Sequence, residues 1–431
     1  MIHTNSRILA EGQAVSNDTW ATGLNNNDVI IGPSGSGKTR GYAKPNLLQL
    51  SGSLVVTDPK GSLRQEVGPV MEQHGYKVLE LDLADPLASP CGYNPLAYIR
   101  YDEQRQRYSE QDILTVSAAL APVESSKEPF WDLAARMFLE CVIGYVLEFL
   151  PDEEHNLCSV VRLLGTAGDK TLDRLFYEVC QIAPDSFTAT RYRMTQTGRG
   201  ADRMYSSILG ILVEKLSPFA FDGARALFCN PRQVSFRRLA RRKTVLFLTV
   251  SDTDSANYRL ANLFYTQALH ALCDFADQRE THRLPVPVRF ILDDFAANVC
   301  IPDFDRIISV IRSREISVSI IIQSLSQLEA LYGHAKALTI LNNCDHLLYL
   351  GGQDVETASF IARKANKTPS SILQMPLDAA WLFTRGAAPR EVKKYKLESH
   401  PLYSELPECS VRQRDEDLLP VLEELEGISI A

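Results

Sequence analysis

The chain has 431 residues, 45% hydrophobic and 23% charged, and its 45 basic and 53 acidic side chains leave a net charge of −8. This balance belongs to a folded globular protein of about two to three average domains, and it excludes disorder, collagen-like repeats and small disulfide scaffolds. Negative net charge repels nucleic acid, so any contact with it has to rest on local basic patches.

No apolar run approaches the ~18 residues of a membrane-spanning helix, and the first residues lack the apolar core of a secretory signal. The nine cysteines contain no C-x-x-C pair and the eight histidines no H-E-x-x-H. Reduced thiols in a cytosol are expected, with no structural metal site.

Taken in chain order, short β-branched or aliphatic runs bounded by turn signals occupy residues 28–31, 53–57, 77–81, 244–250, 288–292, 316–322, 346–350 and 380–384. Their length and composition predict buried strands. Helical periodicity marks 130–150, 157–164, 204–216, 257–279 and 303–313. Strands separated by helices imply right-handed crossovers and a mostly parallel sheet. Strand signals stop between Ser109 and Arg242, which predicts an all-α insertion. The expected domains are therefore 1–108 and 243–406 for an α/β unit, 109–242 for the helical domain, and 407–431 for an acidic tail with a short amphipathic element.

The strongest motif is Gly32-Pro33-Ser34-Gly35-Ser36-Gly37-Lys38-Thr39, a full G-x-x-x-x-G-K-[ST] between a strand and a helix. The glycines let backbone N–H groups turn inward around phosphate oxygens, and the next helix offers its positive end. Lys38 then reaches the β- and γ-phosphates and the Thr39 hydroxyl ligates Mg²⁺. ATP and Mg²⁺ are the expected ligands.

A second strand ends in Asp293-Asp294. Asp293 is the candidate for the outer coordination shell of Mg²⁺, and Asp294 the candidate for polarising the attacking water. Capping of the next helix accounts for Asp294 alone but not for Asp293. The strand 316–322 ends in Gln323-Ser324, and a glutamine there can sense the γ-phosphate. Arg312 and Arg314 precede that strand; they read either as dipole partners at a helix end or as arginine fingers toward a neighbouring subunit.

These motifs resemble the type IV secretion coupling proteins, the TraG/TraD-like group of RecA-type motor ATPases. Thr57-Asp58-Pro59-Lys60-Gly61 is similar to that family's Asp-Pro-Lys-Gly element and Tyr93-Asn94-Pro95-Leu96 to its Asn-Pro-Leu element. Pro129-Phe130-Trp131 with Ala134-Ala135-Arg136 resembles the opening of its all-α domain. The segment 291–296 resembles its second acidic motif, and 323–328 its glutamine motif. The order is kept over roughly residues 25–400.

The resemblance implies a RecA-like P-loop NTPase with an inserted all-α domain, assembled as a homohexamer around a channel. It implies ATP-driven delivery of single-stranded DNA, or a relaxase–DNA complex, to a type IV secretion channel. A weakly hydrolysing platform that recruits the relaxase, and an FtsK/HerA-type pump of duplex DNA, are the alternatives. Two departures stand out. Asp294 lies where the family usually has Glu, and a misplacement of about 1 Å at a catalytic group can cost on the order of a hundredfold in rate. The family also commonly begins with transmembrane helices, whereas this P-loop starts at residue 32. An anchor-free or truncated member is expected, cytoplasmic and held at the inner face of the membrane by a partner.

For DNA, the candidate basic groups are Arg191, Arg193, Arg199 and Arg203, then Arg237, Arg238, Arg241, Arg242 and Lys243. Tyr192 and Tyr205 are candidates for stacking on bases. Solvated basic faces are the plainer reading of each cluster.

Overall fold

The computed structural model describes residues 5–124, 127–166, 171–197, 202–251, 257–295 and 300–409. The acidic tail from 410 onward, Arg199, Ala296 and the side chain of Arg203 lie outside the described residues.

Thirteen short strands are described: β1 (Ser6–Ala10), β2 (Gln13–Ser16), β3 (Asp28–Ile31), β4 (Ser53–Thr57), β5 (Lys77–Asp82), β6 (Tyr101–Asp102), β7 (Arg107–Tyr108), β8 (Thr244–Thr249), β9 (Val288–Leu292), β10 (Ile316–Ile322), β11 (His346–Tyr349), β12 (Ala379–Thr384) and β13 (Arg390–Lys393). Nine of them form one sheet in the order β13-β12-β11-β3-β10-β9-β4-β8-β5. The run β11-β3-β10-β9-β4-β8 pairs in parallel. β12 and β13 add antiparallel at one edge. Every side chain of β3, β4, β8 and β9 is buried. Strands covered on both faces carry continuous apolar runs instead of alternating ones, which is why these elements were readable from composition.

The chain forms two compact units, residues 1–80, 236–252 and 272–431, and residues 81–235 with 253–271. The first holds most of the sheet and a core in which Ile30, Val56, Phe247, Ile291, Ile321 and Leu348 are buried. The second is mainly helical and covers a different span from 109–242, since it takes in the β6–β7 hairpin and the first turns of the helix Tyr258–Asp277. Its central helix, Pro129–Phe149, buries Phe138, Leu139, Val142, Ile143 and Val146. Glu148 on that helix accepts hydrogen bonds from the Phe187 and Thr188 N–H groups at 2.9 and 3.0 Å, satisfying the start of the helix Phe187–Thr197. Unpaired N–H groups at a helix start need such an acceptor.

At the first residue of β3, the buried Asp28 carboxylate receives Arg7 at 2.8 Å and Arg289 at 3.3 Å. The Tyr42 hydroxyl donates to it at 2.6 Å. Burial opposes the Asp28 charge, yet Arg7, His346 and Arg289 hold its pKa well below the ordinary range. This cluster ties β1, β3 and β9 to the helical turn that carries Tyr42. Among the described residues, no helix is long and apolar enough to cross a membrane.

Candidate functional site

The loop between β3 and the helical segment beginning at Thr39 wraps back on itself. Gly35 and Gly37 adopt φ of +76° and +93°, a region that glycine enters without strain. At Gly32 a Cβ would sit 2.4 Å from the Ser36 Oγ and 3.0 Å from the Leu350 Cβ, so the first glycine is needed for space. Lys38 is buried, and its ammonium donates to the Gly32 and Pro33 carbonyls at 2.8 and 3.0 Å. The Lys38 ammonium thus lies inside the concave face of the loop.

Parallel strands end on one edge of a sheet, and loops at that edge converge. β9 delivers Asp293 there, and β10 delivers Gln323. The Thr39 hydroxyl donates to Asp293 Oδ2 at 2.9 Å. The Asp294 N–H donates to Asp293 Oδ1 at 3.1 Å, and Gln323 Nε2 donates to Asp294 Oδ1 at 3.4 Å. Asp294 has φ of +48°, an uncommon conformation outside glycine that re-aims its carboxylate. Burial, followed by the neighbouring Asp294 charge, pushes the Asp293 carboxyl up to about 6. A carboxylate pair beside a threonine hydroxyl is the oxygen-donor chemistry that suits Mg²⁺.

Lys38, Thr39, Asp293, Asp294 and Gln323 are therefore brought together. Ser324 caps the next helix through the Gln327 N–H, leaving the Gln323 side chain for Asp294. Arg312 and Arg314 are not brought there. They precede the first residue of β10, at the opposite edge of the sheet. Arg312 donates to the Thr19 carbonyl at 3.1 Å, and Arg314 makes a forked pair with Asp277, 2.8 Å to each oxygen.

Three residues went unnoticed in the sequence. Lys394, just past β13, donates to the Ser36 carbonyl of the P-loop at 3.0 Å, and burial lowers its pKa. Arg40, one residue after Thr39, is held by Glu398 and Glu408 at 2.7 and 2.8 Å. Tyr395 joins Gly37, Gly41, Leu348 and Leu350 around a pocket of about 220 Å³ beside the loop. A Cβ at Gly41 would stand 3.2 Å from the Tyr395 carbonyl, so this glycine admits the strand's exit segment. Lys394 lies 358 positions from Ser36, and no local signal points to such a contact.

Two further motif elements have local structural roles. Asp58 accepts from the Arg64 N–H at 2.9 Å and fixes the helix Ser62–Gln73. Asn94 caps the short turn Pro95–Tyr98 and donates to the His155 carbonyl at 2.7 Å.

The stacking assignment is corrected. Tyr192 and Tyr205 are each only 7% exposed and pack as core rings, Tyr192 against Phe176 and Tyr205 against Phe138. Their faces serve edge-to-face and tilted contacts in the helical unit. Arg191 pairs with the buried Glu140. Arg237, Arg238, Arg241, Arg242 and Lys243 are all exposed, although Lys243 also donates to the Leu50 carbonyl at 2.9 Å. Among the described residues, no group of three His, Cys, Asp or Glu side chains is placed to hold a metal ion.

Comparisons with known proteins place this geometry. The chain is 25% identical over 349 residues to protein VirD4 of Rhizobium radiobacter, covering 78% of this chain and 47% of VirD4. It is 23% identical over 357 residues to the conjugal transfer protein TraG of Escherichia coli, covering 79% and 55%. The chain thus spans about half the length of the curated relatives it matches. Among solved structures, the plasmid coupling protein TrwB in complex with ADP and Mg²⁺ superposes with a TM-score of 0.65 at 15% identity, covering 90% of this chain and 88% of that one. This likeness carries the fold, a RecA-like P-loop α/β architecture with a large, mostly parallel sheet. The model of the Type IV secretory system conjugative DNA transfer family matches residues 2–371, and the chain belongs to that family.

Proposed function

We propose that the chain is an ATP-hydrolysing coupling motor that brings single-stranded DNA, or a relaxase–DNA complex, to a type IV secretion channel. The observation that carries this reading is the convergence of Lys38 and Thr39 with Asp293, Asp294 and Gln323 at one edge of the sheet. Lys38, now bonded to loop carbonyls, turns to the β- and γ-phosphates. Thr39 and Asp293 would hold Mg²⁺, and the bound ion would supply charge neutralisation at the phosphates. Asp294 orients the attacking water, and Gln323 links that carboxylate to the γ-phosphate. Lys394 and Tyr395 border the loop on the side away from the acidic pair, where the pocket accepts the nucleoside. TrwB, solved with ADP and Mg²⁺, supports this choice of ligands.

The working form is taken to be a homohexamer, with an arginine supplied by the neighbouring subunit. Arg312 and Arg314 remain candidates for that role because neither reaches its own chain's site. The exposed Arg237–Lys243 cluster is the candidate for DNA contact. The short Asp294 carboxylate favours a second reading, a recruitment platform that hydrolyses little. ATP turnover, measured at high protein concentration with and without single-stranded DNA, separates the two. Turnover stimulated by DNA supports the motor; background turnover under both conditions sinks it.

A further inference from the structure

Cys158 and Cys229 lie 71 positions apart, yet their sulfurs are 3.7 Å from each other in the helical unit. Cys158 sits in the first turn of the helix Leu157–Gly165, and Cys229 immediately follows the helix Asp222–Phe228. A disulfide needs about 2.05 Å between sulfurs, so closing the gap takes roughly 1.6 Å, within reach of side-chain rotation. Cys229 is exposed and Cys158 half-buried. Both line a surface groove of about 480 Å³ that also presents Arg162 and Arg225.

These features belong to exchange chemistry more than to packing. A buried structural cysteine has neither a second sulfur in contact nor an open approach. Metal binding is disfavoured, since no third His, Cys, Asp or Glu completes a cluster among the described residues.

We propose that Cys158 and Cys229 are a reversible dithiol–disulfide site that joins the two helices by exchange with low-molecular-weight disulfides. The Cys229 thiolate attacks one sulfur of a small disulfide, such as glutathione disulfide, and releases one thiolate. The Cys158 thiolate then attacks the Cys229 sulfur of the mixed disulfide and expels the second. The two cysteines lose two electrons, and their two protons pass to the released thiolates. The small disulfide is thereby reduced to two thiols, and excess thiol reverses both steps. Burial, and then the neighbouring Cys229, push the Cys158 thiol up to about 12, while Arg225 and Arg162 pull it down. Exposure at the groove makes Cys229 the entry point and the half-buried Cys158 the resolving group.

The full chain, incubated with glutathione disulfide and alkylated, is read by peptide mass mapping. The expected product is one cross-linked peptide pair carrying Cys158 and Cys229, lighter by two hydrogen atoms and abolished by dithiothreitol. Cys158→Ser is expected to stop at a single glutathione on Cys229. Cys229→Ser should leave Cys158 as a free thiol. The oxidised wild type should also melt a few degrees higher than the reduced chain, because the link constrains a long loop in the unfolded state. Persistent glutathione on Cys229 in the wild type overturns the proposal, as does cross-linking of Cys229 to other cysteines at equal yield.

Discussion

Replacing Asp293 with asparagine separates the chemistry of this residue from its packing. The side chain is 6% exposed, and its carboxyl is pushed from 3.8 up to about 6. At about 1.4 kcal/mol per unit, ionising it in the folded protein costs roughly 3 kcal/mol. In the unfolded chain the group ionises near its ordinary value. Between the two values the folded state keeps a proton that the unfolded state has lost, so stability falls as pH rises through that window and stays lower above it. Asp293→Asn removes this penalty. Its melting temperature at about pH 8 should exceed that of the wild type by about 4–8 °C on the scale for a domain of this size. Near pH 4 the two proteins should converge. The ligand response should run the other way. Wild-type affinity for Mg·ATP should fall about tenfold per pH unit below about 6, as the carboxyl protonates. The asparagine variant should bind weakly with no such slope. Calorimetry and thermal unfolding across pH 4–8, with and without Mg·ATP, give both readouts. Equal destabilisation at both ends of the pH range would show that the Thr39–Asp293 bond is a structural anchor, and would refute the assignment.

Lys38→Ala should lower nucleotide affinity at least tenfold by titration calorimetry, with the melting temperature little changed; unaltered affinity would remove Lys38 from the site. Asp294→Ala should keep nucleotide binding and lose turnover by about 10² or more in a DNA-stimulated ATPase assay. Parallel loss of binding and turnover would make Asp294 structural. Asp28→Ala leaves Arg7 and Arg289 buried without their shared carboxylate, which should cost about 3–5 kcal/mol in denaturant unfolding. A cost below about 1 kcal/mol would show that water or relaxation replaces the carboxylate.

Legibility followed burial and strand direction. The runs 28–31, 53–57, 288–292 and 316–322 were placed to the residue because strands buried on both faces are continuous in composition and stop at turn residues. β13, read Arg-Glu-Val-Lys, escaped notice because an edge strand exposed on its outer side need not be apolar. β1 and β2 are short, and their pairing is with each other. The P-loop, Asp293 and Gln323 were readable together for a directional reason. β3, β10 and β9 are parallel, so residues just past their last apolar positions must share an edge.

The same logic explains what could not be read. Arg312 and Arg314 precede β10, and the parallel pairing that gathers Gln323 with Asp293 carries them to the far edge. Helical phase decided Tyr192, which points into the helical unit with its hydroxyl 3.1 Å from Asp173, while Arg193, one position on, stays at the surface. Composition cannot tell these two apart, because one residue is a rotation of about 100° around the helix. Lys394 is the strongest case. It reaches the P-loop only because β12 runs antiparallel to β11 and β13 antiparallel to β12, so that β13 ends at the P-loop edge. A site assembled by parallel strands was visible in the motifs, and its antiparallel border became visible only with the fold.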